Sequence, residues 1–172
     1  NLIEIGNMMS GPRLQPFQQR LATNLDGIES MSLSSNSIAS GYFTELAIEH
    51  PDGTEERYPE LGFDTDTSFF STMHIHLAEG LQPADALKKY GTSFYINERY
   101  ARLKNVSSED FGQKTLQDIL PRVRVKYILA GMMENYPTAS LQKEINPQRI
   151  MFRESGDTYL GQIGKYVLIR LQ

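Results

Sequence analysis

Apolar positions change period several times along the first part of the chain. "NLIEI" alternates and predicts a strand. Leu14, Phe17, Leu21, Leu25 and Ile28 then recur at intervals of three and four, the stripe of an amphipathic helix. Pro16 falls in its first turn, where a missing N–H costs little. "LDGIESMSLSS" turns through Asp26-Gly27 into a second strand. Residues 1–35 therefore predict strand, helix, strand.

A different texture follows. "PDG" lies between "YFTELAIEH" and "TEERYPELGF" and predicts a hairpin, because Pro, Asp and Gly suit a tight turn. Pro59 in the second arm predicts an edge or a bulge, since proline cannot donate to a ladder. "DTDTSFFSTM" offers N-caps at Asp64, Asp66 or Thr67 before a short helix carrying Phe69, Phe70 and Met73. "HIHLAEGLQP" predicts a short strand, and "PADALKKYG" a helix with Pro at its start and Gly at its stop. "SFYI" predicts a buried strand running into Asn97-Glu98, and "NERYARLKNV" a helix with Tyr100 and Leu103 on one face. "VRVKYILAGMM" is the most strand-like run of all, alternating at first and then continuously apolar. "TASLQKEIN" predicts one or two helical turns. "RIMFRE" and "KYVLIRL" predict the last strands, joined by the Gly-rich "SGDTYLGQIG". The class is α+β, with strand–helix–strand units at 1–35 and 123–172 around a mixed middle.

Composition narrows the reading. With 172 residues, 40% apolar and 22% charged, the chain can bury a core and is not globally disordered. Its net charge is −4, and its densest basic run, "PRVRVK", spreads its cations over alternating faces. Phosphate binding needs clustered Lys and Arg, so nucleic acid is disfavoured as a partner. The chain has no cysteine, which excludes disulfides and Cys-ligated zinc. No apolar run reaches the ~18 residues of a membrane helix. The sequence opens directly on "NLIEI" and closes on "YVLIRLQ", so both ends read as cut next to structure, as in a domain taken from a larger protein.

Candidate chemistry is sparse. His74 and His76, at i and i+2, would place two imidazoles on one strand face, a metal-compatible spacing. A third ligand would have to come from distant His50 or an acid, so solvated surface histidines are the simpler reading and no metal site is expected. Asn97-Glu98 admits two readings: a catalytic carboxylate at a strand end, or the opening of a helix. Asn97 is a good N-cap, which places Glu98 in the first turn, where its charge favours the helix dipole. Glu98 paired with Glu134, an acid after the next strand, would make a glycosidase-like acid and base. Any globular chain with 21 acids offers such pairs. No GxSxG, P-loop, strand-following GxGxxG or HExxH occurs.

The order of pieces says more than any one motif. "LDGIESMSLSS", the acid and Phe69-Phe70 of "DTDTSFFSTMHIHLAEG", "FYINERYARL" with Ile96, Asn97, Glu98, Ala101 and Arg102, "YILAGMMENYPTASLQKEINP" with Gly131, and "YVLIRL" occur in sequence. This series resembles the extracytoplasmic core domain of MacB- and FtsX-type ABC transporter permeases, with Bacteroidetes permeases nearest in character. Departures are Met132-Met133 after Gly131, Asn135-Tyr136 in place of acid-Phe, and "LKN" after the Asn-Glu helix. The resemblance implies one MacB-like domain over 1–172, made of a porter-like lobe (1–35 plus 123–172) and an inserted Sabre-like lobe (36–122). It implies no catalytic, cofactor-binding or metal-binding residue, with Asn97, Glu98 and Gly131 as structural motif. ATP would bind a separate cytoplasmic subunit or domain. The expected function is to transmit ATP-driven movement of transmembrane helices to a periplasmic cargo or partner. That partner would be an adaptor or a cell-wall hydrolase, beside a second permease copy or paralogue. The expected place is the extracytoplasmic face of the inner membrane, tethered by flanking helices. The Met and Phe residues Met8, Met9, Phe69, Phe70 and Met73 read as core rather than a cargo surface. The rival expectations are a secreted hydrolase using Glu98 and Glu134, and a periplasmic ligand-binding module with a deep apolar pocket.

Overall fold

A computed structural model of the chain describes residues 1–6, 14–39, 42–136, 145–153 and 166–172. The elements run β1 (Leu2–Ile5), α1 (Leu14–Asn24), β2 (Ile28–Ser34), β3 (Tyr42–Glu49), β4 (Glu55–Thr65), α2 (Phe69–Met73), β5 (Leu77–Gly80) and α3 (Pro83–Tyr90). They continue with β6 (Ser93–Asn97), α4 (Glu98–Lys104), a 3-10 turn (Ser108–Asp110), α5 (Leu116–Ile119), β7 (Ile128–Met133), β8 (Gln148–Phe152) and β9 (Tyr166–Leu171). Among the described residues the strands make one mixed sheet in the order β1-β9-β2-β4-β8-β6-β7-β5, with β3 attached to β4. The fold is α+β.

Local chemistry accounts for most elements. The β3–β4 hairpin turns at Pro51–Gly53, where Asp52 Oδ1 accepts from the Thr54 N–H (2.9 Å) and hydroxyl (2.6 Å). Pro59 is tolerated because β8 joins β4 only from Leu61 onward, so among the described residues its missing N–H faces a flank without a strand. α3 begins on Pro83, carries Asp85 in its first turn and Lys88 and Lys89 in its last, each charge matched to the helix dipole. β6 is buried at all five positions, as its apolar run requires.

Helices cover both faces of the central sheet. On one side, Phe69, Phe70 and Met73 of α2 and Ala86 of α3 pack on Phe63, Tyr95, Ile150 and Phe152. Phe70, Tyr95 and Phe152 meet edge to face, with ring centroids 5.0–5.3 Å apart. On the other, Tyr100 and Ala101 of α4 and Leu116 and Ile119 of α5 pack on Leu46, Phe94, Ile96 and Met151. A third, smaller core holds Phe17 and Leu21 of α1 against Leu33, Val167 and Ile169. Phe69, Phe70 and Met73 are thus core residues; Met8 and Met9 lie outside the described set.

β2 meets β4 at the single ladder pair Ser34↔Thr65. Beside this seam the Asp66 carboxylate accepts from Ser32 Oγ (2.8 Å), the Leu33 N–H (3.0 Å) and the Ser68 N–H (3.1 Å). Arg170 Nε of β9 donates to the Thr72 carbonyl at 2.6 Å. β7 and β8 pair with β4, β5 and β6, and of the described C-terminal strands only β9 joins β1 and β2.

Burial pushes the Asp66 carboxyl above its ordinary range, against the three donors, which pull it down. A carboxyl raised in the folded state stabilises the fold below its unfolded pKa and loses that contribution as pH rises through the folded value. Asp66→Asn removes the charge. Its melting temperature relative to the parent should therefore climb as pH rises above the ordinary carboxyl value of about 4. A difference that is flat or falling over that range contradicts the burial account.

Several expectations need correction. Of "VRVKYILAGMM", only Ile128–Met133 forms a strand. β6, the parallel partner, begins at Ser93 opposite Ile128, so residues 123–127 have no ladder to join among the described residues. His74 and His76 do not share a strand: His74 is the left-handed residue (φ 53°) that closes α2, and β5 starts only at Leu77. No side chain caps α2; Asp66 serves the turn before it, and Asp64 lies inside β4. Leu25 falls beyond α1 and is 49% exposed. The helix expected in "TASLQKEIN" falls mainly on residues outside the described set, as does the Gly-rich link before β9.

Candidate functional site at the ends of the central strands

The parallel strands β6 and β7 end together, with Asn97 opposite Met133, and the antiparallel β8 begins beside them. In open sheets of this kind, ligands favour the carboxyl ends of parallel strands. Here that place is filled by the chain's own amides.

Asn97 is the last residue of β6 and is fully buried. Its Oδ1 accepts from the Tyr100 N–H (3.0 Å), which caps α4, and from the Gln148 N–H (2.9 Å), which starts β8. Its Nδ2 donates to the Asn146 carbonyl (3.0 Å) and to Gln148 Oε1 (3.3 Å). Gln148, also buried, donates through Nε2 to the Tyr136 carbonyl and accepts the Tyr136 N–H (3.3 Å). One oxygen of Glu98 accepts from Asn135 Nδ2 (2.8 Å), and Asn135 Oδ1 accepts from the Arg99 N–H (3.1 Å). Four side chains thereby join the end of β6, the first turn of α4, the segment after β7 and the start of β8. Of the four, only Glu98 ionises, so the arrangement is suited to holding backbone segments in place rather than to moving protons.

Glu134 follows β7 as Glu98 follows β6, so the two carboxylates come to the same end of the sheet. They are not equivalent there. Glu98 is half-buried and engaged with Asn135, whereas Glu134 is exposed and its backbone N–H donates to the His76 carbonyl (3.0 Å). The histidines have separate partners: His74 Nε2 lies 3.3 Å from Glu29 and His50 Nε2 3.4 Å from Glu56. No group of three metal-ligating side chains comes together among the described residues.

Gly131 lies two residues before the end of β7, where β5 crowds it. A Cβ there would sit 2.4 Å from the Glu79 carbonyl oxygen and 3.1 Å from both Gly80 Cα and a Tyr95 ring carbon. Gly80 faces it with φ +109°, and a Cβ there would meet the Ala130 carbonyl oxygen at 2.4 Å. Register shifts in both flanking ladders mark a bulge at this point. Tyr95 then reaches past to donate to the Leu81 carbonyl (2.7 Å).

Sequence reasoning missed Gln148 and Asn135 as partners, and missed two ion pairs across β4 and β8. These are Arg149–Glu60 at 2.5 Å and Arg153–Asp64 at 3.1 Å, all with side chains at most 13% exposed. Buried pairs of this kind fix the pairing of strands, because either charge left alone is costly.

No protein-family model and no curated protein sequence matches the chain. Solved structures do. A domain assigned to a permease protein of Porphyromonas gingivalis aligns over 99% of this chain and 73% of its own, with TM-score 0.53 and 14% identity. The extracellular domain of the noncanonic ABC-type transporter YknZ from Gram-positive bacteria aligns over 100% and 84%, with TM-score 0.52 and 10% identity. The periplasmic region of MacB from Actinobacillus actinomycetemcomitans aligns over 99% and 74%, with TM-score 0.50 and 10% identity. The chain has the fold of these extracytoplasmic transporter domains. No helix among its described residues is long and apolar enough to cross a membrane.

Proposed function

We propose that this chain is a non-catalytic extracytoplasmic domain of an ABC transporter permease, passing ATP-driven movement of membrane helices to a cargo or partner protein outside the membrane. The observation that carries the reading is the pairing of the first strand with the last. β1 and β9 are antiparallel neighbours with Leu2 opposite Arg170, and the Leu171 N–H donates to the Asn1 carbonyl at 2.9 Å. A domain looped out between two successive membrane helices needs its ends side by side. The shared fold with a permease domain, YknZ and MacB supplies the direction of the reading.

On this reading ATP binds a separate cytoplasmic subunit or domain, and this domain holds no cofactor. Within the porter-like lobe of 1–35 and 123–172, movement enters through β1, β9 and β2. It crosses to the inserted lobe of 36–122 at the seam held by Ser34↔Thr65, Asp66 and Arg170, and along the ladders that β7 and β8 make with β4, β5 and β6. Asn97 and Glu98 in the inserted lobe, and Gly131 in β7, which pairs with that lobe, keep that part of the sheet stiff. The partners are the ATPase, a second permease, and a periplasmic adaptor or a cell-wall hydrolase.

The chain has no cysteine, which gives a direct test. Asp52→Cys places one thiol on the exposed hairpin turn. In the full-length protein, this position should react with a membrane-impermeant maleimide in intact spheroplasts, against the unsubstituted parent as background. Labelling only after lysis rules out an extracytoplasmic domain.

A further inference from the structure

The outer edge of β3 has an acceptor geometry that the transport reading does not use. Leu61 opposes Phe43, and its N–H donates to the Pro147 carbonyl (2.9 Å), toward β8 and away from β3. Backbone groups alternate along an antiparallel pair. Glu45, Ala47 and Glu49, opposite Pro59, Arg57 and Glu55, therefore turn their N–H and C=O groups away from β4. Among the described residues β3 pairs with β4 alone. The Ala47 carbonyl accepts instead from the Lys104 ammonium at 2.6 Å. A flexible lysine covers this edge, a device that blunts strand addition without preventing it.

Beside the edge lies a cavity of about 560 Å³, between β3, the C-terminal end of α4 and the turn after α5. That volume is within the range of ligand sites. Ile48, Leu103, Leu120 and Val123 give it apolar walls, and the buried Glu60–Arg149 pair lines it. Leu46 and Ile48 point to the α4 side, where both pack in the same core as Tyr100. Side chains alternate along a strand, so Glu45, Ala47 and Glu49 fall on the opposite face. The hairpin as a whole is acidic: between residues 45 and 60 it carries Glu45, Glu49, Asp52, Glu55, Glu56 and Glu60 against Arg57 alone, besides His50.

We propose that this edge and cavity dock an extended segment of a partner polypeptide in which apolar residues alternate with lysine or arginine. The segment adds to β3 as a further strand, accepting from the N–H groups and donating to the carbonyls of Glu45, Ala47 and Glu49, and displacing the Lys104 ammonium. Its apolar side chains enter the cavity. Its cations lie across from Glu49 and Glu45, where opposite charges on neighbouring strands attract; at Glu45 they compete with Arg57, which pairs with it at 2.8 Å. Main-chain bonds then give affinity and the alternating side chains give selectivity. The proposal goes beyond the transport reading and does not depend on it.

The probe is a labelled peptide, Val-Lys-Val-Lys-Val-Lys-Val, titrated with the 172-residue chain at physiological salt and read by fluorescence anisotropy. Replacing its lysines by glutamate should weaken binding about tenfold or more, as should N-methylating the alternate residues whose N–H groups face β3. Ala47→Pro, which removes an outward donor and no hairpin bond, should weaken the parent peptide to the same degree. The N-methylated peptide leaves the protein unaltered, so the test survives if Ala47→Pro fails to fold. Equal binding of the N-methylated peptide, or of a glycine–lysine peptide without valines, reduces the site to general charge attraction and overturns the proposal. Concentration-dependent dimerisation that Ala47→Pro abolishes and the peptide cannot compete assigns the edge to a second copy, which overturns it as well.

Discussion

Gly131→Ala is expected to lower the melting temperature by roughly 6–12 °C, from overpacking on the order of 3 kcal/mol in a domain where 1 kcal/mol moves the midpoint by about 2–4 °C. The added Cβ would meet the Glu79 carbonyl oxygen at 2.4 Å. Contacts that close never occur around real Cβ atoms, and this one is with backbone, so no rotamer change relieves it. β5 would have to move away from β7, and the short ladder between them holds Leu81 and, through it, the Tyr95 hydroxyl. Gly131→Val should do more. A thermal melt within about 2 °C of the parent for Gly131→Ala, less than 1 kcal/mol, contradicts the crowded bulge.

Asn97→Ala should cost more than an ordinary cap. Loss of an N-cap side chain costs about 1 kcal/mol. Asn97 also supports the Gln148 N–H and the Asn146 carbonyl, and every one of these contacts is buried or half-buried. An orphaned buried polar group costs about 1–3 kcal/mol and two are left here, so the total is on the order of 3–7 kcal/mol, or roughly 6–28 °C. Glu98→Gln removes only a first-turn charge, worth about 0.3–1 kcal/mol, and should shift the melt by no more than ~4 °C. Equal effects from the two substitutions would mean that Asn97 acts as a cap alone.

These two residues also show how far the sequence can be read. The cap at Asn97 was legible because its partner, Tyr100, is three residues away and the rule is local. Gln148 and Asn135 were not, because their bonds to Asn97 and Glu98 span 51 and 37 residues. Nothing in the local pattern encodes such a distance. The opening strand–helix–strand, the Pro51–Gly53 hairpin, and the helices starting at Pro83 and Glu98 followed from periodicity and turn chemistry. Alternation failed at residues 123–127, where Val and Arg suit a strand but no described strand reaches that far. Spacing failed at His74, because a left-handed residue breaks the period-two geometry that would have set it beside His76. Gly131 could be marked from the resemblance, but its reason is Gly80, fifty-one positions earlier and across a ladder.

The adjacent ends of β1 and β9 have a mechanical consequence. A pull that separates Asn1 from Gln172 acts across their shared ladder and opens it one rung at a time, from Leu171–Asn1 inward. That is the weak direction of a β-ribbon, because the force falls on a single bond instead of being shared along the strand. A displacement that carries both ends together strains none of these rungs and moves the whole body. The ladder is therefore compliant to a force that spreads its two strands at this end and unstrained by one that carries them together.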